Sequence, residues 1–188
     1  MTTHQFMADE TLIEQIKDGN EQAFHHLYER YSAHLYRYFL RLLRGDREKS
    51  EDFLQELFLR VLEHVNQFRK EYAVKTWLYT IATNLCRNEW KKNANRAQLI
   101  ESFTPWESPS SSNEDVLDRN QFQKELSKWM LTVDDMTREI VILRYYQDLT
   151  VREIAEIVSI PEGTVKSKLF YTLQSLAQKL QNYHPHKN

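Results

Sequence analysis

Between Thr76 and Lys92 the stretch TWLYTIATNLCRNEWKK sets aromatic rings among cations and amides. At 100° per residue, Tyr79, Thr83, Arg87, Trp90 and Lys91 gather on one side of a helix, with Thr80 and Asn84 at its border. Trp77, Leu78, Ile81, Ala82 and Leu85 gather on the other. Rings that stack on bases, interleaved with Arg and Lys that take phosphates, form the surface expected for unpaired nucleic-acid bases. Base stacking contributes about 1–3 kcal/mol per base, so even two such contacts matter. For Trp90 and Tyr79 taken singly, packing against another helix is the simpler reading.

A second stretch, TVREIAEIVSIPEGTVKSKL from Thr150 to Leu169, suits intact duplex. Thr150 and Glu153 have the spacing of a capping box, in which the hydroxyl meets a free backbone N–H and the carboxylate reaches back to the cap's own amide. Ile154, Ala155 and Val158 form the inner side of that helix. The pattern breaks at Ser159 and Ile160, and Pro161 restarts it, because its fixed torsion and absent N–H are tolerated in a first turn. In the helix that follows, Val165, Leu169, Phe170, Leu173, Leu176 and Leu180 are expected inward, and Thr164, Ser167, Lys168, Tyr171, Gln174 and Ser175 outward. Lys166 falls near the inner edge by angle, at a helix start from which a long side chain still reaches a phosphate. Helix, short turn and helix with a polar outer face is the pattern of a helix-turn-helix, whose second helix meets base edges in the major groove. Two helices of a plain bundle are the competing reading.

A third stretch carries an apolar residue out of place. In SEDFLQELFLRVLEHVNQF, starting at Ser50, whose hydroxyl and following acids suit a helix N-terminus, Phe53, Leu54, Leu57, Phe58, Val61, Leu62 and Val65 share a core face. Asp52, Gln55, Glu56 and Glu63 share the opposite face, and Leu59 sits in their midst. That is either an ordinary exposed leucine or the apolar centre of a protein-binding spot framed by polar groups.

The elements that must carry these residues are helices. Only three glycines and four prolines punctuate 188 residues, and 41% hydrophobic with 28% charged composition fits a globular chain. EQAFHHLYERYSAHLYRYFLRLLRG keeps Phe24, Leu27, Tyr28, Tyr31, Leu35, Tyr38, Phe39 and Leu42 near helical spacing and ends at Gly45. Later, Phe122, Leu126, Trp129 and Val133 mark one helix, and Thr137 is a plausible cap for another with Ile140, Val141, Leu143 and Tyr146 apolar. The formal charge of −2 conceals a sorting by region. Residues 69–96 hold seven Lys or Arg against two acids, whereas residues 97–118 hold five acids and no Lys or Arg, together with Pro105, Pro109 and a serine run. The expected fold is therefore all-α, two small helical domains joined by an acidic linker. That linker is either a solvated tether or a competitor for a nucleic-acid channel.

Other classes fit poorly. Cys86 is the one cysteine, so a reducing compartment is expected and an internal disulfide is not. No signal segment and no run of roughly 18 apolar residues stands in the chain, so the protein is not expected to be membrane-embedded. The paired histidines at His25 and His26, and those at His184 and His186, lack a carboxylate pattern for metal, and no Gly-rich phosphate loop or nucleophile elbow occurs, so neither a cofactor, a metal nor enzyme activity is expected.

With DFLQELFLRVLEHV, TWLYTIATNLCRNEWKK and LTVREIAEIVSIPEGTVKSKLFYTLQSL in this order, the chain resembles an extracytoplasmic-function sigma factor from about Asn20 to Leu180. The resemblance implies a region 2 domain over residues 1–96, the linker over 97–119, a region 4 helix-turn-helix domain over 120–182 and a tail over 183–188. It implies that Asp52, Gln55, Glu56 and Leu59 bind the clamp helices of the largest subunit of core RNA polymerase. It implies that the loop from Gln67 to Lys75 and the helix after it open and read the minus-10 element, with Lys75, Tyr79, Asn84, Arg87, Asn88 and Lys91 near the non-template strand. The minus-35 duplex would fall to Lys166, Ser167, Lys168, Phe170 and Tyr171, with Thr164 beside them and Arg152 steadying the backbone. Relatives often carry a basic residue where Tyr171 stands and Arg where the lysines stand, and Lys lacks the fork that grips guanine bidentately. The linker would thread the polymerase channel, and an anti-sigma factor, often membrane-anchored, would hold this cytoplasmic protein inactive. The alternative is a helix-turn-helix transcriptional regulator with an N-terminal helical interaction domain.

Overall fold

The computed structural model describes residues 7–94, 126, 128–130 and 132–181, and every regular element among them is helical. The linker expected over residues 97–119, the tail over 183–188 and Phe122 lie outside the described residues. The chain divides into two compact units, one holding helices α1–α4 and the other α5, the larger part of α6, and α7.

The first unit runs α1 (Asp9–Lys17), α2 (Glu21–Leu42), α3 (Arg47–His64), a 3₁₀ turn (Val65–Gln67) and α4 (Val74–Ala94). Helix α2 starts where Gly19 takes φ +82° and Asn20 accepts a hydrogen bond from the Ala23 amide at 3.1 Å. The α2–α3 connection reverses through Arg44 and Gly45, both at positive φ, and Asp46 caps α3 by accepting from the Lys49 amide at 3.0 Å. Helix α3 therefore begins a turn before the expected Ser50, which is buried and donates its hydroxyl to the Asp46 carbonyl. Helices α2, α3 and α4 pack on one another, and α1 lies against α2 and α4. Leu27, Leu35, Phe39 and Leu42 of α2 meet Leu57, Phe58 and Val61 of α3 and Leu78, Ala82 and Cys86 of α4 in a fully dehydrated core. Asp9 holds α1 to α2 by pairing with Arg30 and accepting the Tyr31 hydroxyl.

The second unit holds α5 (Asp135–Tyr145), α6 (Val151–Val158) and α7 (Glu162–Gln181), preceded by helical residues 128–130 with Trp129 and Met130 buried. Asp134, not Thr137, caps α5, accepting from the Thr137 amide at 2.9 Å; Thr137 sits in the first turn and donates its hydroxyl to the same carboxylate. The buried Arg138 guanidinium donates to the Met130 carbonyl at 2.9 Å and the Val133 carbonyl at 3.0 Å, and pairs with Asp135 at 2.6 Å. These partners offset the cost of burying its charge and clamp the preceding segment onto α5.

Candidate nucleic-acid interface

The helix-turn-helix forms where the sequence places it. Thr150 and Glu153 make the full capping box, with the Thr150 amide donating to the Glu153 carboxylate at 2.7 Å and the Glu153 amide donating to the Thr150 hydroxyl at 3.2 Å. Ser159 ends α6 in the left-handed region at φ 57°, and the Pro161 carbonyl accepts the Thr164 amide at 2.9 Å as α7 begins. The turn is therefore Ser159, Ile160 and Pro161, short enough to fix the entry of α7.

Helix α7 lies rotated from the expected orientation. Its inner stripe is Val165, Leu169, Thr172 and the half-buried Leu176, spaced four, three and four residues apart. Phe170 and Leu173, expected inward, are exposed, Phe170 by 62%. Thr172 takes the place they would have filled. Thr164, Lys166, Ser167, Phe170 and Tyr171 thus share the solvent side, with the Phe170 and Tyr171 rings edge to face at 5.5 Å. The two lysines exchange places. Lys166 projects outward with Glu162 at 3.8 Å, whereas Lys168, 31% exposed, donates to the Thr137 hydroxyl at 3.1 Å and stands 3.8 Å from Asp134. Burial alone raises the Asp134 carboxyl, but hydrogen bonds from Thr137 and the Lys168 charge leave it below the ordinary value of 3.8. Arg152 is exposed on α6.

On α4 the expected face divides. Asn84, Asn88 and Lys91 are exposed at spacings of four and three residues, one continuous stripe of amides ending in a cation, with Arg87 on its flank. Tyr79 does not belong to it. Its ring is 1% exposed and meets Tyr38 edge to face at 5.1 Å, and burial pushes its phenol up. Thr83, also expected outward, is buried and shares a 2.8 Å hydrogen bond with the Tyr38 hydroxyl. Both face α2 because Tyr38 gives their polar atoms and rings a partner inside the core. Lys75 lies in the first turn of α4 close to His34. Ahead of it, residues 69–73 are exposed, Tyr72 included, while Phe68 folds under Trp77 with ring centroids 5.2 Å apart.

On α3, Asp52, Gln55 and Leu59 are exposed, Leu59 by 57%, and the half-buried Glu56 pairs with Arg60 at 2.8 Å. Leu62, expected in the core, is exposed one turn beyond Leu59 because α2 covers only the side of α3 that carries Leu57, Phe58 and Val61. The apolar centre of this polar face is two leucines rather than one. Among the described residues no group of three or more His, Cys, Asp or Glu suits a metal ion, and no helix is long and apolar enough to cross a membrane.

Both units match known protein families. Residues 27–96 match the profile of Sigma-70 region 2, and residues 129–178 match that of Sigma-70, region 4. The chain is similar to the ECF RNA polymerase sigma factor SigW of Bacillus subtilis, at 28% identity over 90% of this chain and 95% of that protein. It is similar to the ECF RNA polymerase sigma factor SigL of Mycobacterium tuberculosis, at 30% identity over 82% of this chain and 87% of that protein. Its fold matches that of the sigma factor RpoE, solved in complex with the anti-sigma factor NepR from Bartonella quintana, with a TM-score of 0.70 at 20% identity over 84% of this chain and 96% of that one. Two helical units bearing regions 2 and 4 in this order define a Sigma-70-type transcription initiation factor. Within that class, the chain belongs to the extracytoplasmic-function (ECF) RNA polymerase sigma factors.

Proposed function

We propose that this sigma factor divides promoter recognition between its two units and docks on core RNA polymerase through α3. The α3 face of Asp52, Gln55, Glu56 and Leu59, now widened by Leu62, meets the clamp helices of the largest subunit, its leucines supplying buried apolar contact and its polar groups the register. The Asn84, Asn88 and Lys91 stripe, with Arg87 beside it and Lys75 at the head of the helix, takes the non-template strand of the minus-10 element: amides read base edges and cations hold phosphates. Thr164, Lys166, Ser167, Phe170 and Tyr171 of α7 meet the minus-35 duplex, where hydroxyls and a lysine address polar base edges and the two rings suit the thymine methyl. The boundaries at 1–96, 97–119 and 120–182 follow this division.

The exposed polar stripe on α4 carries the reading, since a structural helix of a bundle has no need of an ordered row of amides on its solvent side. Anti-sigma binding, a cytoplasmic location and the absence of catalytic activity belong to the same proposal. Sigma factors act as initiation factors rather than enzymes, and a partner that masks the polymerase or DNA faces would hold such a protein inactive. The test is transcription reconstituted from purified core polymerase, this protein and a library of promoter sequences. Transcripts starting at a defined subset, with no other sigma factor present, are expected; dependence on a second sigma factor would point to a regulator instead.

A further inference from the structure

The first turn of α7 carries an acid that belongs to no face assigned above. Glu162, Lys166 and Phe170 follow at four-residue spacing along one side of the helix, all of them exposed, with the Glu162 carboxylate 3.8 Å from the Lys166 ammonium. A Cβ placed on Gly163, the next residue, would meet nothing within 4 Å, so open space lies beside this turn and its backbone can approach a ligand closely. The Ser167 hydroxyl donates to the Thr164 carbonyl at 3.0 Å, which leaves its oxygen to accept. The start of the helix therefore offers acceptors at Glu162 and Ser167 beside a donor at Lys166.

A carboxylate on a DNA-reading turn is repelled by phosphates, and on base edges only amino groups can donate to it. In the major groove these are cytosine N4 and adenine N6. The cytosine amino group stands beside guanine O6 and N7, adjacent acceptors on one base that suit an ammonium, whereas the adenine amino group separates its two neighbouring acceptors. An acceptor and a donor 3.8 Å apart thus complement the edge of a C·G pair better than that of an A·T pair. We propose that Glu162 is a specificity-determining residue for the minus-35 duplex, accepting from cytosine N4 at one position while Lys166 donates to the guanine of the same pair. The inference rests on the reading of α7 as the minus-35 helix and deepens it by naming the base pair.

The test combines core polymerase with the full-length protein, wild type or variant, and a duplex promoter library randomised across the minus-35 element. The wild-type protein is expected to select a C·G pair at one position, with other pairs there about 5- to 150-fold weaker. Glu162→Ala should erase that preference and leave the preferences at other positions intact. Glu162→Gln should move it to adenine, whose N6 and N7 an amide meets bidentately. Both variants should hold mixed-sequence DNA at least as tightly as the wild type, because a negative charge has left the DNA side. An acid that only stabilises the start of its helix behaves otherwise, since its loss weakens binding to every sequence alike. Such a uniform loss, or an unchanged base profile in Glu162→Ala, would overturn the assignment. If the wild-type protein selects minus-35 bases that neither variant alters, the role of Glu162 alone is wrong. If it selects none at all, the reading of α7 falls and takes Glu162 with it.

Discussion

Lys168 donates its ammonium to the Thr137 hydroxyl at 3.1 Å, joining α7 to the first turn of α5. The group is thus spent within the second unit, with Asp134 at 3.8 Å as its counter-charge, while Lys166 two residues earlier faces solvent. Lys168→Ala is expected to cost about 0.5–1.5 kcal/mol of stability, the net contribution of one hydrogen bond, and to leave the salt dependence of duplex binding nearly unchanged. Lys166→Ala is expected to do the reverse, lowering the slope by about 0.9 with little effect on stability. Thermal unfolding and salt-titrated binding to minus-35 duplex separate the two lysines; a larger slope change in Lys168→Ala would show that its side chain leaves Thr137 for a phosphate.

Tyr38 ties α2 to α4 through its hydroxyl bond with Thr83 and its edge-to-face contact with Tyr79. Tyr38→Phe leaves the buried Thr83 hydroxyl without that partner, and a loss of about 1–3 kcal/mol is expected, read as a lower urea midpoint at constant slope. Tyr79→Ala should cost about 3–5 kcal/mol. Tyr79→Phe keeps the ring and is expected to leave affinity for single-stranded minus-10 DNA unaltered, because that ring is not on the DNA side.

These two relationships also mark how far the sequence can be read. The capping box at Thr150, the restart at Pro161 and the exposed Leu59 were legible because each depends on residues within one or two turns. Ser50 and Thr137 misled as caps because an acid three or four residues earlier caps each helix first, and the reversal through Arg44 and Gly45 decides where α3 begins. Tyr79 and Thr83 misled for a different reason. Their polar atoms suggest a solvent side, yet Tyr38, some forty residues away, meets both inside the core. The rotation of α7 was likewise hidden, because it buries the polar Thr172 in the inner stripe and leaves the apolar Phe170 and Leu173 outward.

Leu59 is solvent-exposed, so Leu59→Asp removes nothing from the core and stability should change by no more than about 0.5 kcal/mol. If α3 is the polymerase face, the same change places a charge where a desolvated apolar contact is needed. A loss of more than about tenfold in affinity for core polymerase is expected, of the size found when a central interface residue is removed. Binding measured by competition against a second sigma factor checks this, and full retention of affinity would move the docking site off α3.

Ser159 adopts φ 57° at the end of α6, a conformation that glycine takes without steric cost. Ser159→Gly is expected to stabilise the second unit by roughly 0.5–1 kcal/mol, the relief of left-handed strain being partly offset by the greater freedom of an unfolded glycine. A midpoint that falls instead would mean that the serine side chain contributes to holding the turn.

His34 supplies a pH dependence whose sign is fixed by its surroundings. Partial desolvation, then the charges of Arg37 and Lys75, hold its imidazole below the ordinary value of 6.5. The unfolded chain therefore takes up this proton before the folded one does as pH falls, and stability depends on the difference in bound protons between the two states. Above about pH 6.5 the residue costs nothing, and below it the folded state is progressively disfavoured until His34 protonates there too. His34→Gln should match the wild-type protein in urea midpoint at pH 8 and exceed it at pH 5.5, with all other titrating groups common to both. A wild-type advantage at the lower pH would mean that the imidazole gains an anionic partner in the folded chain, and that the cations of α2 and α4 do not meet around it.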